Sequence, residues 1–292
     1  MKSREFAKPF RVSGGTHFRL NDFDPTDTLG LKSKEHAQAT LERGIARLSD
    51  LQEKLYAQDR WAVLVILQAM DAAGKDSTIK HVMSGVNPQG CGVTSFKPPS
   101  SEDLDHDFLW RGLRFLPERG KIGIFNRSYY EEVLVVRVHP EMLAREKMPA
   151  RLVTNKIWQE RFEDINAFER YLSRNGVLVL KMFLNLSKKE QRKRFLERLD
   201  TPEKNWKFSE SDVTERQYWE KYMEAYEEMI RNTSSKCAPW YVIPADHKWF
   251  MRLVVAEVII HTLDGLDLCF PKIDPAKQKD LKRARAALKH ES

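Results

Sequence analysis

Residues Trp61 to His81 read WAVLVILQAMDAAGKDSTIKH, and they constrain the fold more than any other stretch of the chain. An apolar run rich in Val, Ile and Leu, Ala62 to Leu67, passes into a turn of small residues. Lys75 follows, and then a segment that can form a helix. Small residues let the backbone curl until several N–H groups point at one anion. A helix beginning near Gly74 aims the positive end of its dipole at the same spot. Lys75 adds a full charge within reach of a terminal phosphate. Strand, small-residue turn, lysine and helix together spell a phosphate-binding loop, with Ala72, Ala73, Gly74, Asp76 and Ser77 as its wall.

The usual spacing, G-x-x-x-x-G-K-[ST], is altered twice. Ala69 stands for the first Gly, and Asp76 stands where a metal-binding hydroxyl is expected. Asp71 lies inside the loop. Mg²⁺ favours one or two carboxylates completed by water and phosphate oxygens, so Asp71 and Asp76 are the candidate metal ligands. An ordinary strand–turn–helix connection is the competing reading, and the coincidence of length, small residues and the Gly-Lys pair argues against it.

A chain of 292 residues has room for one large α/β domain or two small ones. Its formal net charge of +7 suits an anionic ligand: a phosphorylated small molecule, a polyanion or nucleic acid. Cys91, Cys237 and Cys269 are too few and too scattered for a disulfide framework or a zinc cluster. The first ten residues, MKSREFAKPF, carry charges where a signal peptide needs an apolar run, so a cytoplasmic location is expected. The sequence contains no apolar stretch long enough to span a membrane.

Five short apolar runs, near 61–69, 92–97, 122–126, 177–184 and 240–243, read as strands. Helical patterns fall at 33–57, after the loop, at 101–116, from 128 onward, and at 153–174, 187–199, 214–231, 249–263 and 275–290. The alternation predicts an α/β fold, a five-stranded parallel sheet between helix layers, with every strand's carboxyl end on one edge. An irregular arm over 1–33, one domain over 34–272 and a basic helical tail over 273–292 complete the expected organisation.

Three loops would meet at that edge. After the third strand come Asn126, Arg127 and Glu131. After the fourth come the basic residues of 188–210, read as a lid that brings Arg194, Arg198, Lys204 and Lys207 over a phosphate. Arg194 and Arg198 share a helix face at a spacing of four. A solvated helix face is the plainer reading of that stretch, and a salt bridge to Glu131 or Glu132 the plainer reading of Arg127. Lys97, ending the second strand, and Arg111 are candidates for nucleotide contact. Asp105, His106 and Asp107 are consecutive and cannot all face one ion. Trp219, Tyr222 and Tyr226 read as core, and His81 and His139 as structural.

Several longer stretches resemble the second family of polyphosphate kinases, most closely its class III. They are QAMDAAGKDSTIKHVMSGVNPQG (68–90), VTSFKPPSSEDLDHDFLWR (93–111), GIFNRSYYEEVLVVRVHPE (123–141), KNWKFS (204–209) and APWYVIPADHKWF (238–250). The resemblance runs from about residue 35 to 272. It implies a P-loop kinase fold related to thymidylate kinases. It implies reversible transfer of a terminal phosphate from inorganic polyphosphate to AMP, ADP and other nucleotides, with Mg²⁺ or Mn²⁺ as cofactor. The family's loop aspartate and lysine fall on Asp71 and Lys75, its strand-end arginine on Arg127, and its lid arginine on Arg194 or Arg198. Asn126 stands where many members have Asp, and Glu131 has the class III form. Expected partners are polyphosphate and nucleotides, with self-association into a homo-oligomer and with neither nucleic acid nor membrane. An ATP-dependent nucleoside monophosphate kinase, or a non-enzymatic polyanion or nucleic-acid binder with a decayed loop, would use the same features differently.

Overall fold

The computed structural model describes residues 6–291 except 13, 16, 32 and 33; the side chains at 36 and 207 also lie outside the described set. Its strands are β1 (Arg11–Val12), β2 (Ala62–Gln68), β3 (Cys91–Ser95), β4 (Ile122–Asn126), β5 (Val177–Asn185) and β6 (Trp240–Pro244). They form one sheet in the order β1-β6-β5-β2-β4-β3, parallel except where β1 runs against β6.

All seven residues of β2 are buried, because the strand is central and covered on both faces. Its two-residue side-chain period divides them. Val63, Val65 and Leu67 join one core with Leu48, Leu51, Leu55, Phe250 and Val254. Leu64 and Ile66 join the other with Phe162, Ile165, Tyr226 and Ile230. The helices on the first face are α1 (Lys34–Gln58), α2 (Lys75–Val82) and α10 (Lys248–Asp264), and on the second α6 (Ile157–Arg174) and α9 (Trp219–Thr233). Shorter helices α3 (Ser101–Leu104), α4 (Trp110–Leu113), α5 (Val135–Val138) and α8 (Glu210–Glu215) lie in connections, α7 (Lys188–Leu199) follows β5, and α11 (Pro275–His290) ends the chain, exposed throughout.

Leu67 pairs with Asn126 of β4 on one side and Met182 of β5 on the other. From β2 the chain first builds outward on the β4 side and then crosses to the β5 side. Such a reversal leaves a crevice outside the carboxyl ends of the central strands.

Four expectations need correction. The sheet has six strands among the described residues rather than five: Arg11 and Val12 of the arm pair with Tyr241 and Trp240. Phe6, Phe10, Phe18 and Leu20 of the same arm are buried in the two cores. The helix expected over 101–116 is broken into α3 and α4, because the Asp107 carboxylate accepts the Leu109 N–H at 2.9 Å and starts a new turn. The segment after Ser128 is a 3-10 turn, Tyr129–Val133, before the short α5. The helix expected over 214–231 starts earlier as α8 and is interrupted by a 3-10 turn, Arg216–Tyr218, before α9.

Candidate active site

The loop leaving β2 curls through two left-handed residues, Ala72 with φ +61° and Gly74 with φ +103°. Glycine adopts that region freely, whereas alanine is strained there by roughly 1–2 kcal/mol. Ala73 N–H closes a turn on Met70 O at 3.3 Å, and α2 starts at Lys75 with Gly74 as its cap. A side chain at 74 would also meet Ser77 Oγ at 3.3 Å and Met251 Cε at 3.4 Å. The Lys75 ammonium is only 9% exposed and donates to Ala69 O at 2.8 Å and, weakly, to Met70 O at 3.5 Å. Burial pushes its pKa down to about 8, the Arg127 charge adds to the push, and Asp71, Glu131 and Asp76 oppose it.

From β4 comes the opposite wall. The Asn126 amide donates to Asp76 Oδ1 at 2.6 Å. Arg127, itself left-handed at φ +64°, donates to Asp71 Oδ1 at 2.6 Å and to Glu131 Oε2 at 3.2 Å. Glu131 first and Asp71 next hold the guanidinium firmly charged against its burial. The salt bridge to Glu131 and the loop contact to Asp71 therefore coexist.

From β5 and α7 comes the third wall. Ser187 caps α7 by accepting Glu190 N–H at 3.1 Å. Arg194 turns into the backbone beneath the loop, while Arg198 pairs with Asp212 at 3.2 Å. Burial and the nearby Asp71 push the Asp212 carboxyl up. The three walls enclose a cleft of about 640 Å³. Asp71 to Ser77, Asn126, Arg127, Arg194, Arg198 and Lys204 all line it. Trp206, Asp212 and Lys248 line it too, and sequence reasoning did not single them out. Lys248 sits inside the APWYVIPADHKWF stretch, one signal that could have found it; burial and Arg194 lower its pKa.

Lys97 and Arg111 are not part of the cleft wall. Lys97 is exposed, and Arg111 donates to its carbonyl at 2.6 Å while its guanidinium lies over the Phe96 ring at 5.2 Å. Phe96 itself lines the cleft, so the Arg111 guanidinium lies behind it. The Lys207 side chain falls outside the described residues. His106 stacks on Trp110 at 3.9 Å, and Asp105 pairs with Lys147, so the Asp-His-Asp run is used elsewhere. Trp219, Tyr222 and Tyr226 are buried as core. A second hollow, about 710 Å³ between residues 105–109, 146–149 and α6, contains none of the loop residues.

No group of three or more His, Cys, Asp or Glu poised for a metal exists among the described residues. Asp71 and Asp76 are two carboxylates on one cleft, each already satisfied by a single nitrogen donor of Arg127 or Asn126. That donor set fits a hard cation that takes its remaining ligands from water and phosphate, and not a closed protein cage.

Known proteins resemble this chain in sequence and fold. The family model described as polyphosphate kinase 2 matches residues 31–269. An ADP-polyphosphate phosphotransferase of Rhodopseudomonas palustris is 52% identical over 282 residues, covering 96% of this chain and 98% of its own. An AMP/ADP-polyphosphate phosphotransferase of Meiothermus ruber is 46% identical, covering 93% and 98%. The crystal structure of a polyphosphate kinase 2 from Arthrobacter aurescens superposes with a TM-score of 0.87 at 40% identity, covering 97% of this chain and 98% of that one. With its sheet order, its phosphate loop and these likenesses together, the chain belongs to the polyphosphate kinase 2 family.

Proposed function

We propose that the chain transfers the terminal phosphoryl group of inorganic polyphosphate to AMP and to ADP, reversibly. The observation that carries this reading is Lys75. Its ammonium is buried at the focus of the curled loop, and it touches backbone carbonyls but no carboxylate among the described residues. A buried charge in that state is completed by an anion arriving from solvent. Relatives that cover nearly the whole chain are named ADP-polyphosphate phosphotransferase and AMP/ADP-polyphosphate phosphotransferase.

In the proposed reaction an oxygen of the nucleotide's last phosphate attacks the terminal phosphorus of polyphosphate. The P–O bond to the next residue breaks, the shortened chain leaves with the electron pair, and no covalent enzyme intermediate forms. Lys75 and the Gly74–Asp76 N–H groups bind the phosphate whose charge grows. Arg127 orients the transferring group from the β4 side, and Arg198 closes over it from the lid of 188–210. Asp71 and Asp76 would hold Mg²⁺, which would supply positive charge to offset that of the phosphate oxygens. The surplus of positive charge draws the polyanion to the cleft.

Product analysis with polyphosphate and Mg²⁺, offering AMP and ADP separately and no ATP, tests the proposal. Formation of ADP from AMP and of ATP from ADP is expected. ADP consumption with AMP untouched would restrict the acceptor to diphosphates. No product from either, with AMP phosphorylated once ATP is supplied, would overturn the proposal in favour of an ATP-dependent kinase.

A further inference from the structure

We propose that α7 shapes the phosphate loop from behind, with Gln191 and Arg194 as positioning residues rather than ligands of substrate. Gln191 Nε2 donates to Asp71 O at 2.9 Å. Arg194 Nη1 donates to Ala72 O at 3.1 Å and to Ala73 O at 2.8 Å. Three successive loop carbonyls are thus held by two side chains one helical turn apart, which are 1% and 5% exposed.

The clamp is itself held. Arg194 Nη2 donates to Ala245 O at 2.6 Å and Asp246 O at 3.0 Å, and its Nε to Glu190 Oε1 at 3.0 Å. These five bonds account for all five guanidinium N–H donors. The Asp246 carboxylate accepts Ser187 N–H at 2.8 Å and Ser187 Oγ–H at 2.7 Å, and Arg216 fixes the Gln191 amide by donating to its Oε1 at 2.6 Å. The loops after β2 and β6 and the start of α7 are therefore tied at one guanidinium.

A carbonyl and the N–H of the next residue share one rigid plane. Pinning Ala73 C=O therefore aims Gly74 N–H, and pinning Ala72 C=O holds Ala73 N–H in its turn. The bonds also retain Ala72 in its strained left-handed conformation, which persists only where its surroundings over-determine it. With every donor of Arg194 committed to protein acceptors, contact with the transferring phosphate falls to Arg198. This inference rests on the loop being the phosphate site proposed above.

Amide hydrogen exchange on the full-length protein without substrate tests it. Arg194→Lys keeps the charge but cannot span four carbonyls. It should raise exchange of the 72–76 amides on the order of tenfold, the loss of one charged hydrogen bond, with β2 unchanged. kcat should fall by roughly 10²-fold with a smaller change in KM, as misplacement of reacting groups does. Gln191→Leu removes one loop bond, that to Asp71 O, together with the acceptor of Arg216, and should give the same pattern in weaker form, which keeps the test open if Arg194→Lys folds poorly. Turnover lost with loop exchange unchanged would overturn the proposal and put Arg194 on the phosphate. A loosened loop with full turnover would overturn it as well. If no polyphosphate activity exists at all, the exchange data and calorimetric tripolyphosphate binding still decide whether α7 shapes the loop.

Discussion

Among the described residues two lysines are buried, and their surroundings differ in one respect. Lys181, in the middle of β5, is 0% exposed. Its three protons go to Glu169 Oε2 at 2.5 Å, Thr233 O at 2.7 Å and Tyr130 Oη at 3.0 Å. The other Glu169 oxygen accepts the Tyr129 and Tyr130 hydroxyls at 2.9 and 2.8 Å. Lys75 has one good carbonyl partner and no direct counter-charge. Burial lowers both pKa values, yet only Lys181 has a bonded carboxylate pulling back. A lysine with a complete shell joins elements together; a lysine with an incomplete one is a receptor. Lys75 stands just past the carboxyl end of β2 and Lys181 within β5, and they show what the same side chain does when its anion is built in or left to arrive.

Substitution at each position sharpens the contrast. Lys75→Met should lower turnover by about 10³-fold, the upper range for removing one preorganised donor at developing charge. The ligand-free fold should melt no lower than the parent, since a poorly compensated buried charge is removed; steady-state kinetics beside thermal denaturation reads both. Lys181→Met should do the reverse. It strands the Glu169 carboxylate and should cost about 3–5 kcal/mol of stability, while turnover per folded molecule persists. Lys181→Met combined with Glu169→Leu should recover most of that loss, because no charge is left behind. If Lys181→Met abolished turnover with stability intact, the division between joining and receiving lysines would collapse.

Sequence showed one of these lysines and hid the other, for a physical reason. The phosphate loop is local: strand, small residues, Gly74 and Lys75 are adjacent, so their geometry follows from their order. Lys181 lies in VLVLKMFL, where it reads as one polar residue in an apolar strand. Its partners come from α6, from the turn after β4 and from the end of α9, and only tertiary structure unites them. The same limit explains β1, which exists only because Trp240 and Tyr241 offer it an edge. It explains Lys97 and Arg111: the place of Lys97 at the end of the second strand was legible, but that Arg111 would fold onto its carbonyl and over the Phe96 ring was not. The spacing of Arg194 and Arg198 placed both on one face correctly. Which of them turns into backbone and which faces Asp212 depends on where Ala245 and Asp246 come to rest.

The smallest expected effect is a pH dependence, and it separates the two lysines most finely. Lys75 in the ligand-free protein loses its proton near pH 8. As pH rises through that value the loop loses the charge that receives phosphate, so kcat/KM should fall by up to roughly tenfold per pH unit above it. A bound phosphate supplies the missing counter-charge and favours the ammonium, so the limb in kcat should lie at higher pH than the limb in kcat/KM. Stability should move the other way. Between about pH 8 and the ordinary lysine value of 10.5, the unfolded chain holds the Lys75 proton and the folded chain does not. Folding is then favoured by rising pH across that window, and the contribution should vanish in Lys75→Met. Rate profiles over roughly pH 6.5–9.5, set beside melting curves of parent and variant, test both signs. Coincident limbs in kcat and kcat/KM would mean that bound phosphate leaves the Lys75 proton unaffected, and Lys75 would then be a second Lys181 rather than its opposite.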